Sequence, residues 1–376
     1  MNEIYLDNAS TTKPCDSILN SIIPYIESYW HNPSSLYKNG VDVRNAIEDV
    51  RCRIAKLINA APEEIYFTSG ATEANNWVIR GFDDTCGGNK VDIITTPIEH
   101  SSIIKAIGNR NLRSNIKFLD VDCDGIVDLK SFDKEDDGWV FLASVIAANN
   151  EIGTVQDLKK ISEIVHANNG MFHTDATQML PNVPIDVKYM GIDLLSASAQ
   201  KLGGLKGTGF LYINNDIKHK ISPLIYGEQE GSYRGGTENV IGIIAMGEAI
   251  KHINYKDISR FSLIRDCFVY KLESIGCKLV GSKESRLPNN LSMLMPEGVN
   301  AEGLLYLLDM CGIMVSVGSA CNSRSVEPSH VLKAIGMSDD DAARVVRITF
   351  SPDLTIEEMD KTVNEIDKAI KLMSVN

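Results

Sequence analysis

The sequence predicts an α/β fold, because short apolar strands alternate with amphipathic helices along most of its length. Apolar residues at helical spacing mark four early segments, 16–30, 40–59, 72–80 and 157–169. Short apolar runs typical of buried strands occur at 65–68, 91–95, 139–143, 171–174 and from 193 onward. Strands separated by helices favour a mostly parallel sheet covered on both faces.

The pattern changes after about residue 250, where longer helical stretches surround short strands. These stretches cover 245–275, 301–312 and 355–374. The last of them opens with Thr355 followed by Glu358, which is the spacing of a capping box at a helix N-terminus. We therefore expect a second, smaller α+β domain after the large α/β domain.

Composition and charge exclude several classes of function. The chain has 376 residues, of which 44% are hydrophobic and 23% are charged, as in ordinary globular enzymes. A net charge of −13 argues against binding to nucleic acid or to anionic lipid. No apolar run approaches the roughly 18 residues that span a bilayer, and residues 1–7 lack the regions of a targeting peptide. We expect a cytoplasmic protein without a membrane or nucleic-acid partner.

A lysine and an aspartate follow two neighbouring strand patterns. The pattern 171–174 ends in Asp175, and the one from 193 ends in small polar residues and Lys201, before a glycine-rich turn. Pyridoxal phosphate (PLP) chemistry requires this pair, because a lysine amine forms a Schiff base with the aldehyde and a carboxylate keeps the pyridine nitrogen protonated. We therefore expect a PLP site at these strand ends.

A phosphate site is indicated by the segment Phe67–Ala74, which passes from a strand through a glycine into a helix. The first backbone amides of such a helix have no partner within it and, together with the helix dipole, they favour an anion. Thr72 adds a hydroxyl. An ordinary N-terminal cap explains the same residues, and the neighbouring Schiff-base lysine is what favours the phosphate site.

Several longer motifs occur in the order found in the class V aminotransferase superfamily. They span 69–76, 99–100, 149–153, 175–178, Lys201, 234–239 and 318–321. The set resembles the cysteine desulfurases of iron–sulfur cluster assembly and nitrogen fixation. The resemblance covers nearly the whole chain, from the Tyr5 region to the Arg347 region.

The resemblance implies the PLP-dependent transferase fold type I, with a mostly parallel seven-stranded sheet in a large domain and a smaller α+β domain. The corresponding boundaries are 15–250 for the large domain, and 1–14 together with 251–376 for the small one. The cofactor-binding residues implied are Ala71, Thr72, His100, Asn150, Asp175, Gln178, Ser198, Gln200, Lys201 and Thr237.

Several of these residues receive a specific role from the resemblance. Lys201 would bind the cofactor and later move the substrate α-proton, and Asp175 would pair with the pyridine nitrogen. His100 would stack on the ring and is a plausible acid–base group, while Gln178 would bond the phenolic oxygen. The phosphate would be surrounded by Ala71, Thr72, Ser198 and Gln200. Thr237 would reach the phosphate of the neighbouring subunit's cofactor, which implies a homodimer.

Arg347 is the expected clamp for the substrate carboxylate. It lies in the apolar run 345–350, and a buried charge is costly unless it is paired. A planar guanidinium suits a carboxylate in a bidentate pair, and an intramolecular pair with an acidic residue is the alternative. Asn32 and Asn150 match family positions that help to hold the substrate.

Cys321 is the expected sulfur acceptor. The chain has eight cysteines without a C-x-x-C pair, so no metal site is expected, apart from a transient iron–sulfur contact at Cys321. The stretch 317–325 is small and polar, unlike the apolar surroundings of a structural cysteine. Arg324 nearby favours the thiolate, which is the nucleophilic form.

The residues and the resemblance together predict a cysteine desulfurase. Such an enzyme converts L-cysteine to L-alanine, leaves a persulfide on Cys321 and passes that sulfur to an acceptor protein. Two alternatives are a selenocysteine lyase or other class V aminotransferase, and a non-enzymatic sulfur carrier. Three departures from the family pattern are Gln200 in place of a histidine, a shortened stretch at 226–233, and Val315-Ser316-Val317 where paired serines are common.

Overall fold

The computed structural model describes residues 3–86, 91–108, 111–132, 140–317 and 329–373. Its strands are β1 Ile4–Tyr5, β2 Ile65–Thr68, β3 Val91–Thr95, β4 Asn115–Phe118, β5 Val140–Ser144, β6 Met171–Asp175, β7 Leu194–Ser198, β8 Gly209–Ile213, β9 Lys278–Leu279, β10 Asn290–Leu294, β11 Ile313–Met314, β12 Ser316–Val317 and β13 Val345–Thr349.

The α-helices alternate with these strands through the first half of the chain. They are α1 Ile18–Glu27, α2 Lys38–Ile58, α3 Ala71–Cys86, α4 Ser101–Ile107, α5 Leu158–Ala167, α6 Gln229–Ser232, α7 Val240–Ile250, α8 Ile258–Ser274, α9 Ala301–Met310, α10 His330–Ala334, α11 Asp339–Ala342 and α12 Ile356–Met373. No helix in these described ranges is long and apolar enough to cross a membrane.

Seven strands form the large sheet, in the order β2-β8-β7-β6-β5-β3-β4. Strands β4, β3, β5, β6 and β7 pair in parallel, while β8 runs antiparallel to both of its neighbours. The predicted mostly parallel, seven-stranded sheet of fold type I is therefore confirmed. Because parallel strands end at the same edge, β6 and β7 bring their C-terminal residues together.

Helices cover both faces of the large sheet, since successive strand residues point to opposite sides. Phe210 packs with residues of α2 and α7 in one core, while Leu211 packs with α3 residues such as Trp77 in the other. This arrangement explains the apolar strand sequences, which must be buried on both sides.

A second sheet follows in the C-terminal part, in the order β12-β13-β10-β9, and β1 pairs separately with β11. Ile4 and Leu6 belong to the same apolar core as Phe268 of α8 and Ile366 of α12. The N-terminal strand thus packs with the last third of the chain. The division into domains at residues 14 and 250 remains a prediction.

The predicted helical stretch 245–275 is wrong as a single element. Helix α7 ends at Ile250 and α8 begins at Ile258, with a short 3₁₀ turn between them. The side chain of Asn254 accepts a hydrogen bond from Lys256 N and caps this turn, and the Tyr255 hydroxyl donates to Leu180 O at 2.6 Å. The apolar periodicity continues on both sides of the break, so the sequence pattern alone did not reveal it.

Candidate active site

Asp175 and Lys201 lie at the same edge of the large sheet. Asp175 is the last residue of β6 and is 3% exposed. Lys201 ends the 3₁₀ turn Ala199–Lys201 that follows directly after β7. Strands β6 and β7 are parallel neighbours in which Asp175 pairs with Ser196. The structure therefore brings together the two strand ends that the sequence pattern indicated.

The Lys201 amine points at the N-terminal segment of the chain. Its Nζ donates to the backbone carbonyl of Ala9 at 2.5 Å, and also to the carbonyl of Ser10. Gln178, three residues after Asp175, donates its Nε2 to the same Ala9 oxygen at 2.9 Å. Residues 9–10 are thus the point where Lys201 and Gln178 converge.

Arg347 approaches the same segment from the second sheet. It lies in β13, is 2% exposed, and its Nη2 donates to Asp7 Oδ1 and to the Ser10 hydroxyl, each at 2.7 Å. Its Nη1 donates to the Asn150 carbonyl at 3.3 Å. The intramolecular pair considered from the sequence is therefore formed, with Asp7 as the partner. Within the described ranges, the buried Nε of Arg347 has no hydrogen-bond partner.

Ser10 contacts both cationic side chains, which the sequence alone did not indicate. Its carbonyl accepts from Lys201 and its hydroxyl accepts from Arg347. The two side chains therefore approach two atoms of the same residue. The only sequence signal was the polar run Asp7-Asn8-Ala9-Ser10 after a short apolar strand. The position of this run relative to β13 is set by the bridge between Asp7 and Thr349. The sequence does not specify that bridge.

The Asp175 carboxylate is held by donors that are not cations. Asn75 donates its Nδ2 to Oδ2 at 2.6 Å, and the backbone N of Thr177 donates to Oδ1 at 3.0 Å. The Thr177 hydroxyl is buried without a partner in the described part of the chain.

Two other buried titratable groups near Asp175 are held neutral at pH 7. Burial raises the pKa of Glu99 to about 8, and the Asp175 charge contributes in the same direction. Burial lowers the pKa of His173 to about 4, while its ring nitrogens bond Ser144 and Ser196 at 2.8 and 3.0 Å. Negative charge at the end of β6 is therefore concentrated on Asp175.

His100 is placed by the start of α4, of which it is the N-cap. Its Nδ1 accepts from the backbone N of Ser102 at 3.2 Å and lies 2.8 Å from the Ser102 hydroxyl. The Ser102 hydroxyl in turn accepts from Asn75 at 2.9 Å. His100 and Asp175, which the resemblance places around one cofactor, are therefore linked through hydrogen-bonded side chains.

The predicted phosphate turn lies between β2 and α3. Gly70 has φ +149°, and a Cβ there would lie 3.8 Å from the Ser198 hydroxyl at the end of β7. A Cβ on Gly209 of β8 would come within 2.7 Å of the Gly70 Cα, so the two backbones approach closely. The N-terminus of α3, which starts at Ala71, thus opens beside Ser198. Backbone amides, a helix dipole and a hydroxyl together form a suitable anion site.

Thr72 and Gln200 are the other two residues predicted to surround the phosphate. Thr72 is exposed in the first turn of α3. Gln200 precedes Lys201, and its backbone carbonyl accepts from the N and the hydroxyl of Thr12, at 3.2 and 2.6 Å. That pairing anchors the N-terminal segment to the lysine turn. Contacts of Thr72 and Gln200 with a phosphate stay predictions.

Thr237 lines a cavity of about 170 Å³ next to the phosphate turn. Thr68 and Ser69 of the same chain lie in its wall, together with Arg234, which forms an ion pair with Glu73 at 2.8 Å. The contact that the resemblance implies between Thr237 and a neighbouring subunit's cofactor remains a prediction.

Asn32 and Cys321 are not joined to this site by the described contacts. Asn32 lies between α1 and α2, where its Oδ1 accepts from Ser34 N at 2.8 Å. Cys321 lies outside the described residues. The residues that follow its segment are anchored near the site, since Ser329 donates to Glu151 Oε2 at 2.5 Å and His330 Nε2 lies 2.9 Å from the Glu99 carbonyl.

The arrangement fits PLP. A buried carboxylate and a lysine follow two neighbouring parallel strands, and an anion site opens at the end of the second strand. The Thr177 hydroxyl and Arg347 Nε, which have no partner within the described ranges, are polar atoms that a bound molecule can satisfy. Asp175, Lys201, Gln178 and His100 are the side chains that would hold the ring. Ala71 and Ser198 would hold the phosphate.

Fold and site together define a PLP-dependent enzyme of the transferase type. The class V aminotransferase family matches residues 4–362, and the chain belongs to this family. PLP is accordingly its cofactor.

Individual relatives agree over nearly the whole length. The chain is 39% identical to the cysteine desulfurase IscS of Dictyoglomus turgidum, over 98% of this chain and 95% of that protein. A solved NifS-like protein superposes with a TM-score of 0.90 at 32% identity, covering 99% of this chain and 100% of that one. The structure of SspA in complex with cysteine superposes with a TM-score of 0.83 at 30% identity, covering 93% and 99%.

Proposed function

We propose that this protein is a cysteine desulfurase, which converts L-cysteine to L-alanine and supplies the sulfur to an acceptor protein. The observation that carries the proposal is the convergence of Lys201 and Arg347 on Ser10. An α-amino acid likewise presents two groups for recognition, an amine and a carboxylate, on one small molecule. The names of the relatives, one of which was solved with cysteine, support this substrate.

The residues have separable tasks in this proposal. When bound, PLP supplies an electron sink that weakens bonds at the substrate's α- and β-carbons. Lys201 takes the α-proton on Nζ and returns protons to the product. Arg347 binds the substrate carboxylate through Nε, the atom that lacks a partner within the described residues. Asp175, which accepts hydrogen bonds from Asn75 and Thr177, would pair with the pyridine nitrogen.

Cys321 is the proposed sulfur acceptor. Its thiolate attacks the substrate sulfur, so an S–S bond forms while the Cβ–S bond breaks and its electron pair returns to the amino-acid carbon, which is then protonated. Cysteine and one protein thiol thus give alanine and one persulfide, without an external oxidant or reductant. The chain length supports this role, because Cys321 follows Val317 by four positions, a span of at most about 13 Å at roughly 3.3 Å per residue. Val317 pairs with Val346, next to Arg347 in β13.

The test is incubation of the PLP-loaded protein with L-cysteine, followed by alanine measurement and mass analysis of the peptide that contains residue 321. We expect about 32 Da of added sulfur on that peptide, lost on treatment with reductant, and stoichiometric alanine without a keto acid. Cys321→Ala should abolish both products. Cys267→Ala, which removes an exposed thiol on α8, is the matched control and should retain them.

The competing functions give different results in this experiment. An aminotransferase would release no alanine unless a keto acid were added, and it would not depend on Cys321. A selenocysteine lyase would act on selenocysteine and leave cysteine intact. A non-enzymatic carrier would bind PLP at Lys201 but produce no alanine. Full persulfide formation in Cys321→Ala would refute the proposed acceptor.

The proposal includes a cytoplasmic homodimer that delivers sulfur to an iron–sulfur scaffold or thiolation protein, as the family resemblance implies. The dimer is supported by an exposed apolar segment between α1 and α2. In this segment Trp30 is 69%, Leu36 is 90% and Tyr37 is 55% exposed. Large exposed apolar side chains clustered in one place are typical of protein interfaces.

Light scattering after size exclusion tests the dimer. We expect a mass of twice 41.4 kDa for the wild type and a shift to monomer for Leu36→Asp. Leu263→Asp, on the exposed side of α8 at 71% exposure, is the matched control and should stay dimeric. A wild-type monomer at micromolar concentration would contradict the proposal.

A further inference from the structure

A continuous path of hydrogen-bonded side chains joins His100 to Asp175. His100 Nδ1 lies 2.8 Å from the Ser102 hydroxyl, and Asn75 Nδ2 donates to that hydroxyl at 2.9 Å. The same Nδ2 donates to Asp175 Oδ2 at 2.6 Å. The path crosses three elements, α4, α3 and β6. Two of its members, Asn75 and Ser102, are absent from the sequence-predicted site.

The direction of each bond follows from the donors and acceptors available. An ionised carboxylate only accepts, so Asn75 must present its NH₂ group to Asp175. One hydrogen of that group bonds Asp175, and the other bonds the Ser102 hydroxyl oxygen. Since Ser102 accepts from Asn75, its own hydroxyl proton is left to donate to His100 Nδ1.

A second donor confirms the state of the His100 ring. The backbone N of Ser102 also donates to Nδ1, at 3.2 Å. A proton on Nδ1 would oppose this N–H group and would reverse the Ser102 hydroxyl. Nδ1 is therefore the acceptor nitrogen, and the neutral ring carries its proton on Nε2.

We propose that Asn75 and Ser102 are positioning residues that fix His100 in the Nε2–H tautomer and couple that tautomer to the charge on Asp175. The inference rests on the proposed function for the roles of His100 and Asp175. Its consequence is that His100 presents a donor N–H on the nitrogen remote from α4, while the Asp175 carboxylate is held in position. Both conditions come from one amide group.

The burial of Asn75 supports a constrained role. The residue is 0% exposed, and its Oδ1 has no hydrogen-bond partner within the described ranges. An apolar side chain of similar size at this place in α3 would avoid an unsatisfied buried acceptor. The two hydrogen bonds donated by the amide nitrogen therefore account for an asparagine at this position. The amide oxygen has no partner within the described ranges.

The surrounding charges give the amide its importance. Two buried titratable groups that interact with Asp175 are Glu99 and His173, and both are neutral at pH 7 because burial disfavours their charged forms. No ion pair is formed by Asp175 in the described part of the chain. Asn75 is consequently the principal side-chain donor that stabilises its charge, and its removal changes both ends of the path.

The test uses ¹⁵N NMR of histidine-labelled protein, which has seven histidines, with the His100 signals assigned from His100→Gln. The wild-type ring should show a pyrrole-like Nε2 and a pyridine-like Nδ1, in the PLP-free protein as well as in the loaded one. Ser102→Ala and Asn75→Leu should both shift His100 toward mixed tautomers. Ser102→Thr, which keeps the hydroxyl, should preserve the wild-type signals.

Asn76→Ala is the matched control. Asn76 is the next residue in α3, and its Nδ2 donates to the Thr72 carbonyl at 2.9 Å instead of joining the path. This variant should leave the His100 signals unchanged. If Asn75→Leu fails to fold, Ser102→Ala tests the same coupling by removing a single oxygen atom.

Kinetics provide a second measurement. Because Arg347 binds the substrate carboxylate separately, Asn75→Leu should lower kcat by about tenfold or more, while KM for cysteine changes less than about twofold. The expected loss is smaller than the roughly 10²–10⁴-fold that a whole acid–base group contributes, since the variant misplaces His100 without removing it. A purely structural role would leave the tautomer and kcat of the folded fraction unaltered.

The proposal is overturned if wild-type His100 carries its proton on Nδ1, or if both path variants retain the wild-type tautomer. Failure of the desulfurase function would appear differently. In that case the wild type would release no alanine from cysteine, while the tautomer measurements on the PLP-free protein would still decide the positioning roles.

Discussion

A buried ion pair between Arg51 and Glu230 should hold the turn at α6, which precedes Thr237 by a few residues. Glu230 Oε1 and Oε2 accept from Arg51 Nη2 and Nη1 at 2.9 and 2.8 Å, and Phe67 N donates to Oε2 at 3.0 Å. The side chains are 11% and 3% exposed for Arg51 and Glu230. The turn is conformationally costly, because Glu230 and Ser232 have φ values of 48° and 68°, which residues other than glycine rarely adopt.

Glu230→Gln should destabilise the protein by an amount set by this burial. Removing one partner of a buried pair costs about 3–5 kcal/mol when the other charge loses its compensation. In Glu230→Gln, Arg51 keeps an ion pair with the half-exposed Glu48, at 3.0 Å. Burial alone would lower the pKa of Arg51, but the hydrogen bonds and charges of Glu230 and Glu48 outweigh it and raise that pKa. A chain of 376 residues has an unfolding entropy of roughly 0.8 kcal/mol/K. The expected fall in Tm is therefore about 4–6 °C.

Differential scanning calorimetry of Glu230→Gln measures this effect directly. Glu228→Gln changes an exposed glutamate two positions earlier and should shift Tm by less than about 1 °C, as expected for a surface substitution. A double-mutant cycle with Arg51→Met should give a coupling energy of at least about 1 kcal/mol. Equal Tm values for Glu230→Gln and Glu228→Gln, together with a coupling near zero, would refute the reasoning.

Three further results are expected. Glu99→Gln should stabilise the protein at pH 9 and have little effect at pH 5. Burial raises the pKa of Glu99 from 4.5 to about 8, so the folded wild type is destabilised as the pH rises from 4.5 to 8, by up to about 5 kcal/mol. Tm at pH 5 and pH 9 measures the difference. Arg347→Lys should raise KM for cysteine by about 10-fold or more, through loss of a charged hydrogen bond. Arg344→Lys is the control and should leave KM unchanged. Equal KM values for the two variants would contradict the role of Arg347 in binding the substrate carboxylate. Gly209→Ala should weaken PLP retention, measured by absorbance after gel filtration, because its Cβ would come 2.7 Å from the Gly70 Cα; undiminished retention would argue against the phosphate turn.

The strand and helix patterns predicted most of the fold. Strands β2 and β3 lie at the residues expected, and the capping box before α12 is formed, with Glu358 N donating to the Thr355 hydroxyl at 3.2 Å. Local propensity and apolar periodicity are sufficient for such elements, since each is specified by a few adjacent residues. The break between α7 and α8 was missed, because apolar spacing continues across a short polar turn.

The sequence by itself determined the class of chemistry. Lys201, Asp175 and the turn before α3 are local motifs in a fixed order, and their strand ends must meet once the sheet is parallel. The strand order and the handedness of the connections therefore bring residues that are distant in sequence together in one site.

Only the tertiary structure decided how the site is completed. Asp7 and Ser10 meet Arg347 across more than 330 positions of chain, and Asn75 meets Asp175 across 100. Such contacts depend on the packing of one element against another and on the rotamers that this packing allows, and no local spacing encodes them. The pairing of Arg347 with Asp7, and the hydrogen-bonded path that sets the proton on His100, belong to this second kind of information.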